Sequence, residues 1–117
     1  MRILLAEHRS RVRFALRALL EEQVELRVVG EVVEGKDLLA QANATRPDLL
    51  LLSWELPGLS GASLDVLRRA CPELHVIVLS GQPEAQRSAL VAGADAFVSK
   101  VAPPEQLLAA ILASKQR

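Results

Sequence analysis

Short apolar runs alternate with amphipathic stretches along the whole chain. The apolar runs predict five strands, at residues 2–6, 26–32, 48–52, 74–79 and 95–98. Each run is bounded by glycine, proline, serine or charged residues, which is typical of short strands. Because strands that alternate with helical stretches usually form a parallel sheet covered by helices, the pattern predicts an α/β fold built from five such units.

Apolar residues between the predicted strands recur at helical spacing. The first stripe consists of Val12, Leu16, Leu19 and Leu20, and the second begins with Leu38, Leu39 and Ala42. Three further helices are predicted at residues 61–70, 83–92 and 103 to about 114. The last two of these are predicted to open with a proline in the first turn, where the missing backbone N–H costs little.

Composition narrows the class of protein. A chain of 117 residues is long enough for one core, so we predict a single domain over residues 1–117 without an output module. Fourteen basic residues balance fourteen acidic ones, and aromatic residues make up only 3% of the chain. Such a chain has no overall field to attract a polyanion and lacks aromatic platforms that stack on bases. Direct binding of nucleic acid is therefore not expected.

The apolar residues at the start of the chain do not predict a signal peptide or a membrane span. The apolar run after Met1 is shorter than a signal peptide and far shorter than the ~20 residues of a membrane span. Cys71 is the only cysteine, so it forms no internal disulfide, and we interpret it as a structural residue of a reduced protein. Together these features predict a soluble, cytoplasmic protein.

The most informative segment is an apolar strand followed by a turn. Four consecutive leucines, at residues 49–52, predict a strand that is buried on both faces. Ser53 follows them, and Pro57-Gly58 turns the chain shortly afterwards. Open α/β sheets bind their ligands at the carboxyl ends of the strands, so Ser53 is expected at a ligand-binding edge.

Polar residues follow four of the five predicted strands. They are Glu7 and His8 after the first strand, Ser53 after the third, Ser80 after the fourth and Lys100 after the fifth. The carboxyl ends of parallel strands meet at one edge of a sheet. We therefore expect these side chains to line a single crevice.

The arrangement resembles the receiver domains of two-component response regulators over essentially the whole chain. The resemblance rests on the segment around Ser53, on Ser80 and Lys100, and on Phe97, Pro57-Gly58, Gly61, Gly93-Ala94 and Pro103-Pro104-Glu105. Its best local likeness is to the receivers of helix-turn-helix transcription regulators, through Val28-Val29-Gly30-Glu31, Arg46-Pro47-Asp48 and Ala102-Pro103-Pro104-Glu105. The resemblance implies a flavodoxin-like, doubly wound sheet of five parallel strands in the order 2-1-3-4-5 with five helices.

The resemblance also implies roles for the crevice residues. Glu7 and His8 stand where the family has an acidic pair that holds Mg²⁺, and Ser53 stands where it has the phosphate-accepting aspartate. The retained positions are Ser80, Lys100 and Phe97, which correspond to the phosphoryl-binding Ser or Thr, the neutralising lysine and the switch aromatic.

The departures from the family fall at the positions that carry the chemistry. With His8 and Ser53 in place of two carboxylates, Glu7 is the one carboxylate expected in the crevice, and Mg²⁺ binding is expected to be weak or absent. A serine hydroxyl must lose its proton to a base before it attacks, whereas an aspartate is already ionised. We therefore predict no cofactor and no phosphorylation at this position. A salt bridge between Lys100 and Glu7 is expected instead.

The leading prediction is a degenerate receiver that is not an enzyme and that signals through protein contacts. Two alternatives remain open. A phosphorylation-independent receiver would sense a small anion at Lys100 or a nucleotide between helices. A hydrolase would use Ser53, His8 and Glu7 as a triad, although the Gly-x-Ser-x-Gly pattern of a nucleophile elbow is absent.

His8 with Glu7 could form half of a transition-metal site, but no second His or Cys is predicted nearby, and a solvated histidine is favoured.

Helix surfaces are the predicted sites of protein contact. Six alanines make the last two helices smooth and lightly charged outside their core stripes: Ala85, Ala89, Ala92, Ala109, Ala110 and Ala113. A partner protein or a second copy of the chain is expected to dock there. The arginines of the first helix are interpreted as a solvated face and not as a nucleic-acid patch: Arg9, Arg11, Arg13 and Arg17. Trp54 is either a contact residue or a ring packed on the Pro57 turn.

Overall fold

The computed structural model describes residues 1–115, which form five strands and five α-helices. The strands are β1 (Arg2–Ala6), β2 (Arg27–Val32), β3 (Leu49–Ser53), β4 (His75–Ser80) and β5 (Ala96–Ser99). The helices are α1 (Ser10–Glu21), α2 (Leu38–Thr45), α3 (Gly61–Ala70), α4 (Ala85–Val91) and α5 (Pro104–Lys115). Within residues 1–115, none of the helices has the length and apolar character needed to cross a bilayer.

All five strands run parallel in one sheet, in the order β2-β1-β3-β4-β5. This is the doubly wound, flavodoxin-like topology that the resemblance to receiver domains implied. A parallel connection must return along the outside of the sheet, so each connection between successive strands is a crossover that places a helix on one of the two faces, and α5 follows the last strand. The carboxyl ends of the strands consequently lie at the same edge.

The two faces of the sheet bury alternate residues of each strand. Leu50 and Leu52 of β3 belong to one apolar cluster, which we call cluster A, together with residues of α2, α3 and α4. Leu49 and Leu51 belong to a second cluster with residues of α1 and α5. All four leucines are fully buried. Because successive residues of a strand point to opposite faces, a strand covered on both sides is apolar at every position.

Several boundaries differ from the prediction by one or two residues. β3, β4 and β5 begin and end one residue later than expected, so Ser53 and Ser80 are the last residues of their strands. They pair with Leu79 and Ser99 of the neighbouring strands, which extends the hydrogen-bonded ladder to them. The prediction that α4 opens at Pro83 is wrong. That proline lies in the turn before the helix, where the N–H groups of Ala85 and Gln86 donate to the carbonyls three residues earlier. α5 does begin with a proline in its first turn.

Close backbone contacts fix the loop after β3. The Trp54 N–H donates to the Leu79 carbonyl at 2.9 Å, and the Gly35 N–H donates to the Pro57 carbonyl at 2.7 Å. Gly58 adopts a φ of 80°, which favours glycine. A Cβ atom on Gly35 would lie 2.7 Å from the carbonyl carbon of Gly58, so any side chain there would displace the loop. The loop therefore has a defined position beside the ends of β3 and β4.

Candidate functional site

The crevice at the carboxyl ends of the strands contains the polar residues that the sequence placed there. Glu7 follows β1, Ser53 and Ser80 end β3 and β4, and Lys100 follows β5. The side chains of Glu7, Ser53 and Ser80 are fully buried. Buried polar groups are stable only when they are hydrogen-bonded, so the contacts among these residues determine what the crevice can do.

Lys100 connects the ends of the central strands. Its ammonium group donates to Oε1 of Glu7 at 2.7 Å and to Oγ of Ser53 at 2.8 Å. It also lies 3.4 Å from Oε1 of Glu55. The salt bridge between Lys100 and Glu7 that the sequence predicted is therefore present. Because 13% of the lysine side chain is exposed, water and salt screen these contacts less than they screen a surface pair.

Glu7 is held in its ionised form by its neighbours. Burial raises the pKa of the Glu7 carboxyl, but hydrogen bonds from Lys100 and from the Arg9 N–H, with a smaller contribution from Ser53, lower it by more. The pKa of Glu7 therefore lies below its ordinary value. The Arg9 N–H donates to Oε2 at 2.9 Å, so both carboxylate oxygens have donors.

Glu55 is a second carboxylate of the crevice, which the sequence analysis missed. It lies two residues beyond β3, and Oγ of Ser80 donates to its Oε2 at 2.7 Å. The expectation that Glu7 is the one carboxylate of the crevice is therefore wrong, because Lys100 lies between two. An available signal was the acidic residue in the short loop between Ser53 and the Pro57 turn. The rule that places ligands at the carboxyl ends of strands covers only the residues directly at those ends, so it does not include Glu55.

His8 lies at the rim of the crevice, with 34% of its side chain exposed. Its Nδ1 is 3.5 Å from Oε2 of Glu7 and has no hydrogen-bond partner among the described residues. The Ser53 hydroxyl contacts Lys100, whereas a triad requires the histidine to contact the nucleophile. Within residues 1–115, no group of three or more His, Cys, Asp or Glu side chains is placed to hold a metal ion.

The two aromatic residues near the crevice are partly buried. Phe97 and Trp54 both pack against cluster A. Trp54 directly follows the last residue of β3, and its backbone N–H is bonded to Leu79. Of the two interpretations of Trp54, the structure favours packing, with the half-buried side chain lying against cluster A.

The alanines of α4 do not form the smooth outer face that the sequence predicted. Ala85 and Ala89 are buried, and Ala89 packs in cluster A. The expectation that they lie outside the core stripe is wrong, because α4 is seven residues long and uses its alanines to approach the sheet closely. Leu90 and Val91 are exposed instead, by 42% and 81%. On α5, Ala109 and Ala113 are exposed and Ala110 is half-buried.

Two arginines of α1 are engaged within the protein. Arg13 and Arg17 both form ion pairs with Glu31 of β2. Arg17 also lies 3.3 Å from Glu21, one helical turn further along α1. These pairs tie α1 to the edge strand of the sheet and neutralise part of its basic face.

A separate polar cluster lies at the opposite edge of the sheet. Cys71 and His75 line an open pocket there, away from the crevice, as the sequence predicted. Asp95 accepts a hydrogen bond from the Val76 N–H at 2.8 Å and forms an ion pair with Arg68. Burial raises the pKa of Asp95, but these two donors and His75 lower it by more, so it lies below its ordinary value. The cluster joins α3 to the start of β4 and β5.

Comparison with known proteins places the chain in a family. The model of the response regulator receiver domain matches residues 3–112. The nitrate/nitrite response regulator protein NarL of Escherichia coli is 33% identical over 112 residues, which cover 93% of this chain and 52% of that protein. The uncharacterized transcriptional regulatory protein YxjL of Bacillus subtilis is 31% identical over 118 residues, which cover 97% of this chain and 54% of that protein. The chain thus spans about half the length of these relatives.

Solved structures share the fold over nearly the whole chain. The signal receiver domain of a proposed NarL response regulator from Mycobacterium tuberculosis has a TM-score of 0.86 at 27% identity, covering 99% of this chain and 97% of that one. A LuxR-family two-component response regulator from an Aurantimonas species has a TM-score of 0.90 at 24% identity, and the match covers 99% of this chain and 86% of that one. At this identity the likeness shows the fold alone. Together with the family match, these likenesses show that this chain belongs to the receiver domains of response regulators.

Proposed function

We propose that this chain is a receiver domain that signals through protein contacts and does not accept a phosphoryl group at residue 53. The observation that carries the proposal is the environment of the Ser53 hydroxyl. It is fully buried and takes a hydrogen bond from the Lys100 ammonium at 2.8 Å. The Lys100 ammonium is a donor and cannot remove the hydroxyl proton, and the neighbouring Glu7 carboxylate is a weak base because its own hydrogen bonds keep its pKa below the ordinary value.

The charges of the crevice support the expectation that Mg²⁺ binds weakly or not at all. Mg²⁺ requires oxygen ligands in near-ideal octahedral geometry, usually with carboxylate or phosphate groups among them. The carboxylates of Glu7 and Glu55 both approach the ammonium of Lys100. A metal ion that entered between them would have to displace a cation that already balances their charge. The donor set of this crevice therefore does not fit the metal that phosphoryl transfer in the family uses.

Exposed apolar side chains beside β5 support a role in protein contact. Leu90 and Val91 lie on α4, and Val101 lies in the connection between β5 and α5 with 83% of its surface exposed. Exposed apolar patches on small domains commonly mark sites of protein association. We propose that a partner protein or a second copy of the chain covers this surface. Transcription regulation is a property of the longer relatives, and we propose no direct DNA contact for this neutral chain.

Acetyl phosphate with Mg²⁺, followed by intact mass measurement, tests the proposal. The wild type is expected to show no adduct of one phosphoryl group. The variant that combines Ser53→Asp with His8→Asp is the matched positive control for donor and metal. A stoichiometric adduct of one phosphoryl group on the wild type that disappears in Ser53→Ala would contradict the proposal.

A further inference from the structure

The carboxylate of Glu55 bridges two donors that come from different strand ends. Its Oε2 accepts the hydrogen bond of the Ser80 hydroxyl at 2.7 Å, and its Oε1 lies 3.4 Å from the ammonium of Lys100. Ser80 ends β4, Lys100 follows β5 and Glu55 belongs to the loop after β3. One carboxylate thus connects three neighbouring segments.

The backbone on both sides of Glu55 is fixed, so this contact does not depend on a mobile loop. Trp54 is bonded through its N–H to Leu79 of β4, and the Leu56 N–H donates to the Ser53 carbonyl at 3.1 Å. The Leu56 side chain is 3% exposed and lies in cluster A. The side chain of Glu55 is itself 27% exposed, which places it at the mouth of the crevice.

The contact extends into the loop between β4 and α4. The Ser80 hydroxyl donates its hydrogen to Glu55, and its oxygen accepts a hydrogen bond from the Gln82 N–H at 3.0 Å. A hydroxyl has one hydrogen to donate, so the carboxylate determines its direction and leaves a lone pair for Gln82. Loss of the carboxylate would free the hydroxyl to rotate and would loosen the start of this loop.

A hydroxyl and an ammonium that converge on two carboxylate oxygens form the kind of donor pair that binds a small oxyanion. We propose that Glu55 is a built-in ligand of this pair, that it keeps inorganic oxyanions out of the crevice, and that it holds the loop after β4 in one position. The crevice is then an oxyanion site that the chain occupies itself. This inference goes beyond the proposed function, because it does not depend on whether residue 53 can accept a phosphoryl group.

Titration with inorganic phosphate tests the proposal, with backbone amide signals followed by NMR at constant ionic strength and without Mg²⁺. The wild type is expected to show no saturable change at Gln82. Glu55→Ala is expected to bind phosphate at least about tenfold more tightly, with the largest changes at Gln82 and Lys100. Glu34→Ala is the matched control, since it removes the same charge from an exposed surface pair with Lys36. It is expected to behave like the wild type.

Two further variants test the contribution of Ser80 to phosphate binding and that of Glu55 to the position of the loop after β4. Adding Ser80→Ala to Glu55→Ala should abolish the gained binding. Hydrogen exchange of the Gln82 amide should increase in Glu55→Ala and less so in Glu55→Gln, because the amide oxygen of glutamine can still accept the Ser80 hydrogen bond. Equal phosphate binding by the wild type and Glu55→Ala, or no binding by either, would overturn the proposal. An identical response of Glu34→Ala would overturn it as well. Inorganic phosphate is not a phosphoryl donor, so these outcomes are independent of the acetyl phosphate experiment.

Discussion

The ammonium of Lys100 lies 2.7 Å from the carboxylate of Glu7, although 93 positions separate the two residues in the chain. Glu7 is fully buried, and both of its oxygens have donors. The attraction within a buried ion pair offsets the cost of desolvation only when the remaining hydrogen-bonding groups are also satisfied. Here Ser53 supplies a further acceptor for the lysine. The pair therefore joins β1 to the end of β5 and stabilises the crevice from within.

Lys100→Ala is expected to destabilise the domain strongly, because it leaves the buried Glu7 without its cation. Breaking a buried pair by removing one partner typically costs about 3–5 kcal/mol in the free energy of unfolding. Urea unfolding at neutral pH measures this quantity. Lys36→Ala, which removes an exposed lysine paired with Glu34, is the control and should change stability little. A loss for Lys100→Ala no larger than that of the control would show that the buried pair contributes little.

The lowered pKa of Glu7 predicts acid sensitivity. The folded protein binds the Glu7 proton less readily than the unfolded chain, whose carboxyl has the ordinary pKa of 4.5. The stability contributed by this group is therefore fully present above that value and is lost as the pH falls through the lower pKa of the folded state. Urea unfolding over this acidic range should show a shallower decline for Glu7→Gln than for the wild type. Parallel declines would assign the acid sensitivity to other groups.

Asp95, at the other edge of the sheet, is also expected to make the stability of the domain fall as the pH is lowered. Its folded pKa lies below the ordinary value of 3.8, so its contribution is complete above that pH and is lost on further acidification. Asp95→Asn should lower stability at neutral pH, because the amide cannot pair with the Arg68 guanidinium. The difference from the wild type should shrink as the pH falls below 3.8. A difference that is independent of pH would mean that only packing had changed.

Restoring carboxylates is expected to restore metal binding. Ser53→Asp combined with His8→Asp adds two carboxylates to those of Glu7 and Glu55, which raises Mg²⁺ affinity but brings like charges together in the absence of metal. The double variant should melt below the wild type without Mg²⁺ and regain stability in millimolar Mg²⁺, since the ion binds only the folded state. The isosteric control combines Ser53→Asn with His8→Asn and should not respond. Insensitivity of the acidic variant would refute the assignment of the metal pocket.

Association is expected to depend on the exposed residues of the last two helices. Val91→Glu and Ala109→Glu place a charge on exposed positions of α4 and α5, so both should weaken self-association or partner capture while the circular dichroism spectrum stays unchanged. Val24→Glu, at a fully exposed position after α1, is the matched control. Sedimentation of all four proteins measures the effect. Ala89→Glu is unsuitable, because it would bury an unpaired charge and unfold the domain. Unchanged association in both variants would exclude this surface.

Local patterns in the sequence determined the architecture of the domain. The apolar residues 49–52 specify a strand covered on both faces, because the covering helices leave no solvent side, and the alternation of such runs with helical stripes specifies a parallel sheet. The same logic placed Glu7, Ser53, Ser80 and Lys100 in one crevice, since parallel strands end at a common edge. The salt bridge between Lys100 and Glu7 followed from charge alone, once both residues were placed there.

Only the tertiary structure decided which remaining side chains enter the crevice or the core. Glu55 reaches Ser80, which is 25 positions away, because the path of its loop is set by a backbone hydrogen bond between Trp54 and Leu79. The inward face of α4, which buries Ala89, depends on how a seven-residue helix approaches β4 and β5. Helical periodicity predicts the buried face of a helix when large apolar residues occupy it. Small residues such as alanine fit both the buried and the exposed face, so their positions do not reveal which face is buried. Contacts between distant segments, and not local propensity, fix such positions.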